Sequence, residues 1–265
     1  MKGKDGFVEV NGARLYYEIA GSGRPMILIH GFSLDTRMWD SQFETFARYY
    51  QVIRYDVRGF GRSDLPADNN YTFPDDLMSL MECLGIPHAY ILGLSMGGGI
   101  AIDFALEYPE AVDALIPVDT VLGGFQSPEF SDSMRSVWVK AIESGVHEAK
   151  DLWLNLDLFK PARKNPDVAA RLTQMVADYS GWHLSRANSL PNVDPPAIQR
   201  LDKINSPTLV IVGELDLPHF HTVADILLEQ IPKARKVIIP GAGHMSNMEN
   251  PVKFNEAVLR FLEDF

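Results

Sequence analysis

The sequence contains little that would support cross-links, thiolate metal clusters or membrane insertion. Cys83 is the only cysteine in 265 residues, which excludes an intramolecular disulfide and a metal cluster built from cysteines. No run approaches the ~20 apolar residues of a membrane-spanning helix. Residues 1–9 alternate charge and glycine and lack the apolar centre of a signal peptide. We therefore expect a cytoplasmic protein.

Positive charge is also scarce. The chain has 24 Lys and Arg residues against 35 Asp and Glu residues, giving a formal net charge of -11. The electrostatic field of this net negative charge repels nucleic acids and anionic membranes, so neither is expected as a partner. Hydrophobic residues make up 46% of the chain, enough for a large buried core.

The apolar pattern predicts an α/β fold. Two alternating runs flank Asn11-Gly12, which is a strong hairpin signal. Six compact apolar runs follow, as buried parallel strands do, at 26–29, 51–55, 89–92, 114–118, 208–212 and 236–239. Helix-like stretches lie between or after them at 38–49, 73–84, 96–108, 222–230 and 252–265. This alternation predicts a mostly parallel eight-stranded sheet with helices on both faces.

The alternation stops between residues 121 and 201. This stretch has helical patterning and no convincing strand, so we expect a helical cap at 121–201 inserted into a core formed by 1–120 and 202–265. Its aromatic residues would line an apolar substrate pocket if they face the site, and otherwise pack the cap onto the core. They are Trp138, Trp153, Phe159 and Trp182.

A serine motif follows the strand predicted at 89–92. Gly93-Leu94-Ser95-Met96-Gly97 has the G-x-S-x-G form, and a helix-like stretch comes after it. Strand, motif and helix together are the context of a nucleophile elbow, in which the serine occupies a strained, tight turn. We therefore predict that Ser95 is a catalytic nucleophile.

Such a nucleophile requires two fixed donors for the oxyanion that forms on its substrate. Backbone N–H groups serve well because they need no reorganisation. The N–H of Met96 is one candidate, and the N–H of Phe32, which follows the strand at 26–29, is the second. We expect His30 to orient this loop through a hydrogen bond.

A serine hydroxyl also requires a base, and the base requires a carboxylate that fixes its tautomer. His244 is the predicted base because it lies in a small-residue loop after the last strand. Asp216 is the predicted acid because it follows the strand at 208–212. Glu214 and Asp119 remain alternatives. No cofactor is expected, and no metal is expected although His219 and His221 lie near acidic residues.

With these motifs the chain resembles the α/β-hydrolase superfamily of esterases, lactonases and cofactor-free haloperoxidases. Residues 56–63 are similar to its D-x-R-G-x-G-x-S signature, in which we expect Asp56 to pair with Arg58. The resemblance implies the order Ser95, Asp216, His244 and a small-molecule ester substrate. The implied function is a carboxylesterase acting on short to medium acyl esters.

Other substrates stay open. Segment 31–39 is also similar to enol-lactonases, and Ser95-Met96-Gly97-Gly98 resembles carbon–carbon hydrolases of aromatic degradation. The latter usually carry a tryptophan after the catalytic histidine, where this chain has Met245. A small-molecule receptor with the same fold is an alternative from another class. Oligomeric state cannot be read from the sequence.

Overall fold

Eight strands form one sheet at the centre of the structure. The computed structural model describes residues 3–67, 71–186, 190–191 and 193–265. The strands are β1 (Lys4–Val10), β2 (Ala13–Ala20), β3 (Pro25–Ile29), β4 (Gln51–Tyr55), β5 (Ala89–Leu94), β6 (Val112–Val118), β7 (Thr208–Gly213) and β8 (Ala234–Ile239). They lie in the order β1-β2-β4-β3-β5-β6-β7-β8. Strand β2 is antiparallel to β1 and β4, and the remaining neighbours are parallel. The predicted mostly parallel, eight-stranded sheet is confirmed.

The central strands explain the compact apolar runs of the sequence. Every residue of β5 and of β7 is buried, because helices cover both faces of a parallel sheet and leave no polar alternation. The first strand, β1, is instead mostly exposed or half-buried. The core is therefore centred on the parallel part of the sheet.

Nine α-helices lie in the described ranges. They are α1 (Asp40–Phe46), α2 (Phe73–Cys83), α3 (Met96–Glu107), α4 (Pro128–Ser144), α5 (Val146–Asn155), α6 (Pro166–Asp178), α7 (Pro218–Gln230), α8 (Ser246–Glu249) and α9 (Pro251–Leu262). Helix α1 contacts α9, whereas α2 contacts α3. Helices α4 and α6 begin at Ser127 and Asn165, whose side chains accept backbone N–H bonds just before a proline. None of the described helices is long and apolar enough to cross a membrane.

The segment between β6 and β7 is helical where it is described, with α4, α5 and α6 inside it. Two ion pairs join it to the loop and helix after β3: Arg37 with Asp178, at 2.9 Å, and Arg171 with Asp40. These side chains are partly exposed, so each pair contributes only about 0–1 kcal/mol. Apolar burial is therefore the larger contribution to holding the segment on the core.

The predicted pairing of Asp56 with Arg58 is wrong. Arg58 instead makes two hydrogen bonds of 2.7 Å to Asp76 in α2. Asp56 accepts from the backbone N–H groups of Thr36 and Arg62, each at 2.8 Å. The two side chains have different neighbours because the turn after β4 directs Arg58 toward α2, whereas Asp56 bonds within its own loop and to the turn after β3.

Candidate active site

The predicted nucleophile lies at a strained backbone position between β5 and α3. Ser95 has φ 56° and ψ −114°, a region that non-glycine residues seldom adopt and that costs about 1–3 kcal/mol. Its N–H donates to the carbonyl of Val118 at 2.9 Å, and its carbonyl accepts from Gly99 N at 3.1 Å. The serine is half-buried. The sheet and the helix together hold Ser95 in this conformation.

The two outer glycines of the motif lie where the backbone is too close for a side chain. A Cβ atom on Gly93 would lie 2.0 Å from the carbonyl oxygen of Gly97. A Cβ atom on Gly97 would lie 2.3 Å from the carbonyl oxygen of Ile29 in β3. Glycine is thus required at both positions for helix α3 to start this close to the sheet.

The loop after β3 runs beside Ser95. A Cβ atom on Gly31 would lie 3.6 Å from Ser95 Cβ, and Phe32 comes next. Among the described residues, the Phe32 N–H makes no hydrogen bond. Met96 is the first residue of α3, so its N–H has no acceptor within the helix. Within the described ranges neither predicted oxyanion donor has an acceptor for its N–H, and Met96 directly follows the predicted nucleophile in the chain.

His30 uses both ring nitrogens to shape this loop. Its Nε2 accepts from Val57 N at 2.9 Å, and its Nδ1 donates to the carbonyl of Gly31 at 2.8 Å. The ring is fully buried, and this burial lowers its pKa. With both nitrogens engaged, His30 orients the loop and is not available as a base.

His244 and Asp216 form a buried pair at the ends of β8 and β7. His244 Nδ1 donates to Asp216 Oδ2 at 2.9 Å, and the second oxygen of Asp216 accepts from Leu217 N at 2.7 Å. Burial lowers the pKa of His244 to about 4, so the ring is neutral at pH 7. Its Nε2 is then the atom that can accept a proton. Ser95 Oγ and His244 Nε2 are not hydrogen-bonded to each other in the described part of the chain, which is common before substrate binds.

The two alternative acids lie in different surroundings. Glu214 is exposed, and its Oε2 accepts from Gly241 N at 2.7 Å. Asp119 is buried after β6 and bonds to Gly213 N and Ser246 Oγ. Neither contacts His244 Nδ1, because that atom is hydrogen-bonded to Asp216.

Aromatic rings from the loop after β3, from the segment between β6 and β7 and from α7 contact one another and His244. Trp153 Nε1 donates to Ser33 Oγ at 2.7 Å, and its ring centroid lies 5.6 Å from that of Phe32. Phe159 contacts Trp153 and lies 6.4 Å from the ring of His244. Phe220 lies closer to His244, at 4.3 Å between ring centroids. These four rings form an apolar wall that reaches the imidazole of the predicted base.

The other two predicted pocket residues, Trp138 and Trp182, also lie in the segment between β6 and β7. Trp138 is half-buried against the apolar core. Trp182 contacts His183, with ring centroids 4.9 Å apart, and Arg186 lies over its ring. Their place in a substrate pocket stays a prediction.

Sequence reasoning did not identify two residues that shape the histidine loop. Glu249 accepts from Gly243 N at 2.8 Å and from Met245 N at 3.0 Å, and so brackets His244. Phe220 packs on the imidazole ring. A carboxylate five residues after the histidine was the available signal for Glu249, but nothing in the sequence marks Phe220. No group of three or more potential metal ligands occurs among the described residues.

Comparison with known proteins places this geometry in context. The sequence profile of the alpha/beta hydrolase fold family matches residues 24–193. A putative carbamate hydrolase of Azorhizobium caulinodans is 30% identical over 94% of this chain and 95% of its own length.

Two solved structures extend the likeness to the whole fold. A thermophilic esterase from Thermogutta terrifontis is 30% identical, with a TM-score of 0.83 over 100% of this chain and 99% of that one. An enol-lactonase from Burkholderia xenovorans is 29% identical, with a TM-score of 0.82 over 97% and 100%. Both comparisons therefore cover nearly the full length of this chain.

Proposed function

Since this chain belongs to the alpha/beta hydrolase family, we propose that it is a carboxylesterase whose catalytic triad is Ser95, His244 and Asp216. The family and its solved relatives support a hydrolase. The observation that carries the finer proposal is the buried hydrogen bond of 2.9 Å between His244 Nδ1 and Asp216 Oδ2, together with a serine held at φ 56°. A base with a fixed tautomer next to a strained serine is the arrangement that serine hydrolysis requires.

In the first half-reaction, Ser95 Oγ attacks the ester carbonyl carbon while His244 Nε2 takes the hydroxyl proton. Asp216 holds the Nδ1–H and stabilises the imidazolium ion that forms. The N–H groups of Phe32 and Met96 bind the oxyanion of the tetrahedral intermediate. A donor of this type contributes about 10²–10³ in rate.

The second half-reaction releases the acid. His244 gives its proton to the departing alcohol, which leaves an acyl group on Ser95. The same ring then takes a proton from water, and the resulting hydroxide attacks the acyl carbon. Collapse of the second intermediate returns the proton to Ser95 and frees the carboxylic acid.

The wall of Phe32, Trp153, Phe159 and Phe220 supports an apolar acyl or alcohol group of short to medium length. Trp153 and Phe159 are nearly fully buried, at 4% and 2% exposure, and their rings contact each other, Phe32 and His244. Lactone opening is the second candidate, because the enol-lactonase shares 29% identity and nearly the full length. A carbon–carbon hydrolase and a small-molecule receptor are also compatible with this fold. The test below distinguishes these two functions from ester hydrolysis.

The test is hydrolysis of p-nitrophenyl acetate, butyrate, octanoate and palmitate, with intact mass measured after treatment with a fluorophosphonate. We expect turnover that is highest among the shorter esters and a single adduct on Ser95. Ser95→Ala should lose about 10⁴-fold or more in kcat/KM and should not be labelled. Ser22→Ala is the matched control, because Ser22 is exposed and far along the chain from the elbow.

Each other outcome has a definite meaning. Labelling without ester turnover would reject the carboxylesterase, and enol-lactones and vinylogous diketones would then be tried. Labelling with slow single turnover of every substrate would favour the receptor. Wild-type turnover in Ser95→Ala would remove the nucleophile from the mechanism.

A further inference from the structure

A second buried carboxyl lies between the two loops that carry Asp216 and His244. Asp119 follows β6, is 1% exposed and has φ 43°. Its Oδ1 accepts from Gly213 N at 2.7 Å, and its Oδ2 lies 2.5 Å from Ser246 Oγ. Each oxygen therefore bonds to a different loop.

Both of those contacts are close to the predicted triad. The carbonyl of Gly213 accepts from Asp216 N at 3.1 Å, so Gly213 anchors the turn that presents the acid. Ser246 is fully buried and comes two residues after His244. Asp119 thus connects the end of β7 to the start of α8 across the parallel sheet.

The hydrogen bonds of the two carboxyls show where a shared proton fits. Both oxygens of Asp216 receive N–H donors, from His244 Nδ1 and from Leu217 N. Asp119 Oδ1 also receives an N–H donor, from Gly213. An N–H group can only donate, whereas a serine hydroxyl can donate or accept. Of the four carboxyl oxygens, Asp119 Oδ2 is the one whose partner is a hydroxyl.

We propose that Asp119 is a positioning residue that carries a proton on Oδ2 and ties the Asp216 loop to the His244 loop. This proposal rests on the proposed function, because the two loops matter through the triad. The neutral carboxylic acid leaves one negative charge, on Asp216, opposite the imidazole. Two adjacent buried carboxylates would repel each other without a second cation.

The electrostatics of the cluster support this assignment. Burial, and then the neighbouring Asp216, raise the pKa of Asp119 well above its ordinary value, while His244, Ser246 and Gly213 act in the other direction. Burial raises the pKa of Asp216 as well, but there the Leu217 N–H and a side-chain hydrogen bond with Asp119 act in the other direction. Glu249 is the remaining carboxyl that faces this group, through His244 and Asp216. Its oxygens accept from Gly243 N and Met245 N, so it offers no oxygen that faces a hydroxyl.

The first experiment compares Asp119→Asn with Asp119→Ala in p-nitrophenyl butyrate hydrolysis across pH. Asparagine keeps an acceptor for Gly213 N and presents an N–H to Ser246 Oγ, so its kcat/KM and pH profile should stay close to wild type. Alanine removes both hydrogen bonds. If the triad is then misplaced by about 1 Å, kcat should fall by about 10²-fold with little change in KM. Equal losses in both variants would show that a charged carboxylate is needed, and no loss in alanine would exclude a positioning role.

The second experiment detects the proton without using activity. Infrared spectra at pH 7.5 should contain a protonated-carboxyl band in the wild type and in Asp103→Asn, and that band should be absent in Asp119→Asn. Asp103 is a suitable control because it is a half-buried carboxyl in α3 with a pKa raised to about 6 by burial. A band that persists in Asp119→Asn would overturn the protonation assignment.

The two experiments separate this proposal from the proposed function. If fluorophosphonate fails to label Ser95, the serine hydrolase proposal fails while the infrared result still reports on Asp119. If Ser95 is labelled and the band is missing from the wild type, only the Asp119 proposal fails. Should Asp119→Ala not fold, the comparison of wild type with Asp119→Asn remains complete.

Discussion

At the scale of single residues, the two carboxylates that follow β7 differ in burial and in direction. Asp216 is 8% exposed and bonded to His244, whereas Glu214, two residues earlier, is exposed and bonded to the backbone of Gly241. Both carboxylates follow the same strand. Their roles differ because the turn after β7 directs Asp216 inward and Glu214 outward.

This difference gives a paired prediction. Asp216→Asn should lower kcat by about 10⁴-fold, because an amide cannot hold the imidazole in the same tautomer or stabilise its cation. Glu214→Gln should change kcat by less than about threefold, since an exposed hydrogen bond contributes little. Steady-state kinetics on p-nitrophenyl butyrate, with circular dichroism as a check on folding, would measure both. A larger loss in Glu214→Gln than in Asp216→Asn would exchange the two assignments.

The burial of His244 also predicts the pH dependence of activity. The base must be neutral to accept the proton of Ser95, and burial lowers its pKa to about 4. Activity is therefore retained as the pH falls below 6.5, the ordinary pKa of histidine, and is lost only as the pH approaches the lowered value. The acid limb of kcat/KM against pH measures this, with protein stability followed over the same range. A midpoint at or above 6.5 would contradict it.

At the scale of elements, the elbow depends on how closely helix α3 approaches β3 and β5. Gly97, in the first turn of α3, lies against the carbonyl of Ile29, and Gly93, near the end of β5, lies against Gly97. The position of Ser95 relative to the loop at Phe32 follows from that approach. Any side chain at Gly97 would push the nucleophile away from the oxyanion donors.

Gly97→Ala should therefore reduce both stability and activity. Its Cβ would lie 2.3 Å from Ile29 O, and relief of such a clash costs about 1–3 kcal/mol. Gly123→Ala is the control, because its Cβ would meet atoms no closer than 3.4 Å. Denaturant unfolding should show a lower midpoint for Gly97→Ala and little change for Gly123→Ala. Equal midpoints would show that the helix can shift at no cost.

The local sequence pattern predicted the strands and helices better than it predicted which residues contact one another. The buried strands were predictable because both of their faces are apolar, as in β5 and β7. Helix α1 is shorter than the predicted 38–49, because Asp35 caps a 3₁₀ turn at Thr36–Trp39 ahead of it.

Contacts between segments that are far apart in the chain could not be predicted from the sequence. The bond from Trp153 to Ser33 spans 120 residues, and Arg58 selects Asp76 over the nearby Asp56. The location of Ser95, Asp216 and His244 at one edge of the sheet could be predicted. Each of them follows a strand, and parallel strands end at the same edge. The contacts of Asp119 depend on two loops whose shapes have no local signal.

At the scale of the whole molecule, the net charge of -11 acts on every approaching ligand. A field of one sign raises or lowers the local concentration of charged solutes, and salt screens it. The site itself is lined by aromatic rings, and its buried acids are Asp216 and Asp119. We therefore expect neutral substrates to be favoured over anionic ones.

This preference should depend on ionic strength. Raising it from a low value to ~0.15 M shortens the Debye length to ≈ 8 Å, so kcat/KM for an anionic ester such as a p-nitrophenyl succinate half-ester should increase. The value for p-nitrophenyl butyrate, which is neutral, should stay nearly constant. Parallel salt titrations of the two esters make this measurement. A decrease for the anionic ester would indicate a cationic group at the site.

Trp153, which donates a hydrogen bond to Ser33, provides an intrinsic fluorescence signal. The indole is 4% exposed and touches both Phe32, next to the nucleophile, and Phe159, next to the base. Its fluorescence therefore depends on a hydrogen bond and two ring contacts that an incoming acyl group would disturb. Stopped-flow emission could then time substrate entry, acylation and release on an unlabelled enzyme, with Trp153→Phe identifying the signal among the four tryptophans.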